Sequence, residues 1–73
     1  MKAGEFLRLT RRLARRRGWT FAWHPNLGKG SHGKLFVNGR QTTLRDLKSE
    51  LTKGSLHGLL RQLDITLDEL LGE

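Results

Sequence analysis

The dipeptide Asn38-Gly39 lies between the runs "SHGKLFV" and "RQTTL", and no other feature of the chain restricts its fold as tightly. Asn-Gly supplies the two positive φ angles of a two-residue type I′ turn, whose twist matches that of the strands it joins. Once the turn is placed the register follows, because side chains in a strand alternate faces with a period of two. Val37 then pairs with Arg40, Leu35 with Thr42 and Gly33 with Leu44 on the more apolar side. Phe36 with Gln41, Lys34 with Thr43 and His32 with Arg45 fall on the other side, which is polar and cationic.

The segments around this hairpin have their own periods. In "EFLRLTRRLARRRG" Phe6, Leu9 and Leu13 recur at helical spacing while arginines fill the rest of the circumference. That pattern predicts an amphipathic helix ending at about Arg17, with Gly18 as its left-handed cap and arginines at the negative end of its dipole. "WTFAW" alternates Trp19, Phe21 and Trp23 against Thr20 and Ala22, a strand whose aromatic side faces the core. A base-stacking role for these rings is the alternative, but a domain this small needs them inside. "HPNLGKG" has loop composition and takes His24 with it.

Further on, "TKGSLHGLLRQL" places Leu56, Leu59, Leu60 and Leu63 on one helical stripe, with Thr52 as N-cap and His57 on the opposite, solvated side. "TLDELL" opens with a capping box, Thr66 and Glu69, and predicts a short last helix whose Leu67, Leu70 and Leu71 fold back on the core. The order is α-β-β-β-α plus a terminal helix, an α+β fold with helices on one face of a three-stranded antiparallel sheet. Residues 1–73 make one domain with room for one small core, and without cysteine that core is held by apolar packing. No apolar run approaches the ~20 residues that cross a bilayer, so the expectation is a soluble, cytoplasmic protein with no membrane partner. The Arg-rich start ends in a helix stop and runs into a strand pattern, which sets aside a transit peptide.

Charge is divided sharply along the chain. Residues 1–45 carry eleven Lys/Arg and one acid, a net of +10, whereas residues 46–73 carry three Lys/Arg and six acids, a net of −3. A basic half of this kind attracts a polyanion by Coulomb forces and counterion release, without reading its sequence.

Three histidines are present: His24, His32 and His57. With no cysteine and the carboxylates crowded into the far half, no metal-ligand spacing stands out, and no cofactor is expected. His32 differs from the other two in its setting, "GKGSHGKLF". Histidine can both take and give a proton near neutral pH. Cutting RNA at its own 2′-hydroxyl needs a base for that proton, an acid for the leaving 5′-oxygen, and cations for the crowded phosphate. His32 with Lys29, Lys34 and Arg45 matches that need, and Gly28, Gly30 and Gly33 would let a phosphate come close to the backbone. From these residues alone, a catalytic site and a non-catalytic phosphate-binding hairpin stand equal.

"KGSH" opening the second strand after the "GW" that ends the first helix, and "KSELTKGSLHGLLRQLDIT" downstream, carry a likeness to a known family. From Glu5 to about Leu70 the chain resembles the HicA toxins, small bacterial and archaeal mRNA interferases. The resemblance implies a fold similar to double-stranded RNA-binding domains and a catalytic role for His32. It also implies mRNA cleavage without a metal cofactor and inhibition by a HicB-type antitoxin that covers the catalytic face. The RNA-binding set around His32 would be Lys29, Gly30, Ser31, Lys34, Arg40 and Arg45. The first helix and the connection over residues 19–30 are longer than is usual in the family, and the helix is richer in arginine. After the third strand, where relatives carry proline and often a second histidine, this chain has "LRDLKSE". The alternative is a non-catalytic RNA-binding module of the same fold. A DNA-binding helix-turn-helix fits poorly, because "RQLDITLDELLGE" is acidic where a recognition helix is basic.

Overall fold

The computed structural model of the chain describes residues 1–26 and 32–72. The first helix, α1, spans Ala3–Arg17. Phe6, Leu9, Leu13 and Ala14 form its buried stripe, and the arginines lie outside it. Thr10 is also buried within that stripe. Its hydroxyl donates to the carbonyls of Phe6 (3.0 Å) and Leu7 (2.8 Å), so this buried hydroxyl has its partners within the helix. No side chain caps the start of α1. Instead the N–H groups of Ala3 and Gly4 donate to the carbonyls of Ser49 (2.9 Å) and Leu47 (2.8 Å), which ties the helix start to the connection before the second helix.

Gly18 ends α1 at φ 71°, the left-handed cap expected of it. The Trp19 N–H is drawn back to the Ala14 carbonyl at 2.8 Å. This bond takes Trp19 out of the sheet, so the first strand starts two residues later than its aromatic alternation predicts. Strand β1 is Phe21–His24, β2 is Gly33–Val37 and β3 is Arg40–Leu44, antiparallel in the order β1-β2-β3. The β2–β3 register is the one set by the turn, from Val37 with Arg40 to Gly33 with Leu44. Asn38 and Gly39 have φ of 53° and 80°, the two positive angles of a type I′ turn.

The same parity continues into β1, where Phe21 pairs with Val37, Trp23 with Leu35 and His24 with Lys34. Leu35, Val37 and Leu44 therefore face inward with Phe21 and Trp23. Helix α1 packs on this inner side. Helix α2 spans Lys53–Leu63 and buries Leu59, Leu60 and Leu63 there, with Leu56 half-buried. The Thr52 side chain caps it by accepting the Ser55 N–H at 3.1 Å. Asp64 closes it in the left-handed region at φ 56°.

Helix α3, Leu67–Leu70, opens with the capping box: Glu69 N–H to the Thr66 hydroxyl (3.1 Å) and Thr66 N–H to the Glu69 carboxylate (2.9 Å). The Thr66 N–H, and to a smaller extent the Thr66 hydroxyl and Arg17, hold the Glu69 carboxyl below its ordinary range. Only Leu70 of this turn is buried. Leu71 is 53% exposed, because at one helical turn α3 has a single side facing α1. The architecture is α+β in the order α-β-β-β-α. None of the described helices is long and apolar enough to cross a membrane.

Candidate nucleic-acid interface

Strand parity builds the second face of the sheet from Ala22 and His24 of β1, Lys34 and Phe36 of β2, and Gln41 and Thr43 of β3. No described helix covers it. His32 lies one residue before β2 and Arg45 one residue after β3, so both continue this face past the strand ends. An open cleft of about 450 Å³ brings His32, Lys34, Thr43 and Arg45 together, with Gln62 of α2 at its rim. His32 is half-buried there, and Arg45 is exposed. Among the described residues no carboxylate lines the cleft, which leaves a histidine and two cations around an open, polar space. Among the described residues, no cluster of three or more His, Cys, Asp or Glu side chains comes together.

The structure sorts the expected site residues. Lys34 and Arg45 join His32. Arg40 does not: it pairs with Val37 at the turn end of the hairpin, opposite His32, and its guanidinium lies 3.5 Å from the Asp64 carboxylate. The hairpin parity that brings Arg45 to His32 carries Arg40 to the inner-facing set. Lys29, Gly30 and Ser31 lie outside the described residues, as does Gly28. Gly33 is buried on the inner side and leaves room for the Trp23 indole rather than for a phosphate.

His24 stands in a strand, where the sequence predicts a loop. It ends β1, exposed, opposite Lys34, with its ring edge-on to Phe36 at 5.6 Å between centroids and 79° between planes. The following Pro25 gives this stretch its loop composition. Counting by two from Ala22 puts His24 on the outer face, and that is the signal that finds it.

Helix α1 carries six further arginines on the covered side of the sheet. Arg17 meets Glu69 at 3.1 Å and lies over Trp19, Arg16 donates to the Glu69 carbonyl at 3.0 Å, and Arg8 is 3.9 Å from Glu5. Arg11, Arg12 and Arg15 are exposed and have no ion pair among the described residues. Among the described residues, much of the positive charge of the first half thus lies on two surfaces, an open sheet face bearing His32 and a helix backed onto the other side of that sheet.

These features define a small α+β protein with one sheet face covered and one open, cationic and histidine-bearing. No family model, curated protein or solved structure matches the chain. The resemblance to the HicA toxins rests on the "GW", "KGSH" and "KSELTKGSLHGLLRQLDIT" stretches of the sequence.

Proposed function

We propose that the chain is a metal-independent endoribonuclease of the HicA kind, acting on mRNA in the cytoplasm as the toxin of a toxin-antitoxin pair. The observation that carries this reading is the meeting of His32 with Lys34 and Arg45 in one cleft of the open sheet face. RNA brings its own nucleophile. His32 moves a proton at the 2′-hydroxyl or at the departing 5′-oxygen while the 2′-oxygen displaces the 5′-oxygen at phosphorus. Lys34 and Arg45 stabilise the charge that gathers on the phosphoryl oxygens. A HicB-type antitoxin of acidic character would cover this face, its association hastened by charge complementarity.

The test is incubation of purified protein with RNA in EDTA. Cleavage is expected, falling about 10²–10⁴-fold in His32→Ala with an unchanged circular-dichroism melt. Intact RNA with the wild-type chain overturns the enzyme reading.

A second reading is supported by the cleft itself. The chemistry needs two proton transfers, and His32 is the one histidine among the described residues that line the cleft. An RNA-binding module of the same fold accounts for that. It requires salt-sensitive binding that persists in His32→Ala and no cleavage by either protein.

A further inference from the structure

We propose that His24 and Phe36 form a notch for one unpaired base of single-stranded RNA, beside the phosphate held at His32; this rests on the proposed RNA-directed function. Phe36 lies half-buried on the face opposite the core, where no described helix covers it. The core makes no demand on it, since the inward positions of β2 are Gly33, Leu35 and Val37. His24 stands against it with the two ring planes at 79°. Rings in that arrangement leave a right-angled notch, in which a planar base lying on one ring meets the edge of the other.

The surroundings select the occupant. Lys34 sits between Phe36 and His32 on the outer face of the same strand and opposite His24 on the neighbouring one. Among the described residues of this face there is no carboxylate, so it favours a phosphate-bearing partner over a neutral protein surface. Duplex RNA has no base plane to offer, because its bases stack on one another and show only their edges. A single strand offers both a free plane and a backbone charge, and stacking on aromatic side chains tolerates any base. At about 3.3 Å per residue, four residues of β2 place Phe36 roughly 13 Å from His32, so the stacked base belongs to a nucleotide flanking the phosphate at His32. Substrate choice would follow from strandedness at that nucleotide.

The experiment uses the His32→Ala chain, which keeps the RNA whole, and a fluorescein-labelled ten-nucleotide RNA without self-complementarity, free or annealed to its complement. Anisotropy titrations are expected to show tighter binding of the single strand. Phe36→Ala and Phe36→Leu each weaken that binding roughly tenfold to a hundredfold, Phe36→Trp retains it, and duplex binding changes little. Phe36→Leu keeps an apolar strand residue, so loss of binding with an unchanged melt reports the ring. Equal binding of single strand and duplex, or full binding by Phe36→Leu, overturns the notch. So does binding that disappears only when Arg11, Arg12 and Arg15 are replaced by glutamine. Binding that depends on Phe36, together with no cleavage by the chain with His32 intact, would remove the enzyme reading and leave the notch standing. Cleavage with no dependence on Phe36 would do the reverse.

Discussion

The indole of Trp23 in β1 occupies the space where any other residue at position 33 would carry its Cβ. A methyl group built on Gly33 falls 2.8 Å from Cζ2 and 3.0 Å from Cζ3 of the ring. Gly33→Ala is therefore expected to destabilise the fold by about 1–3 kcal/mol through overpacking, read as a lower urea midpoint. Trp23→Leu in the same chain should recover part of the loss. A wild-type midpoint in Gly33→Ala would mean that the indole moves aside at no cost.

Position along the hairpin separates the cations. Lys34 and Arg45 share the cleft with His32, while Arg40 lies at the turn end beside Asp64. Replacing either Lys34 or Arg45 with alanine should weaken single-stranded RNA binding and reduce the slope of log affinity against log salt by about 0.7 for each phosphate that is no longer neutralised. Arg40→Ala should leave affinity and slope unchanged. A larger loss of affinity in Arg40→Ala than in Arg45→Ala would place the RNA elsewhere.

Thr42 is 4% exposed, and its hydroxyl donates to the side-chain oxygen of Gln62 in α2. Gln62→Ala strands that hydroxyl, at an expected loss of about 1–3 kcal/mol. The double replacement Thr42→Val with Gln62→Leu removes both partners and should be less destabilising than Gln62→Ala alone. Additive losses in a thermal-melt cycle would show that the two side chains do not couple.

The capping box makes stability depend on pH in a defined direction. Glu69 is held below its ordinary value of 4.5 in the folded chain, chiefly by the Thr66 N–H. Its contribution is therefore complete above about 4.5 and is lost as the pH falls through the lower folded value. Glu69→Gln should melt below wild type at pH 7, and the gap should close on acidification through that window. Thr66→Ala should lower stability by about 1 kcal/mol at pH 7. A gap for Glu69→Gln that stays constant down to pH 3 would assign the effect to something other than the carboxylate charge.

Local chemistry determined a large share of this fold. Asn38-Gly39 imposed the β2–β3 register, Gly18 ended α1, and Thr52, Thr66 and Glu69 marked the starts of α2 and α3, because each acts on backbone within a few residues of itself. Hairpin parity also set His32 on the same side as Lys34 and Arg45, so the centre of the candidate site was legible in the sequence. Packing between distant segments decided the rest. The bond from Trp19 to the Ala14 carbonyl removed Trp19 from the sheet, and the indole of Trp23 filled the space beside Gly33 that reads in sequence as clearance for phosphate. Asp64 came to lie beside Arg40, away from the cleft. His24, whose neighbour Pro25 suggests a loop, was held in β1 by pairing with Lys34 and brought edge-on to Phe36. Periodicity states which side chains share a face. Only the packed chain states which face is covered and what fills the space beside each residue, because those depend on contacts between segments far apart in sequence.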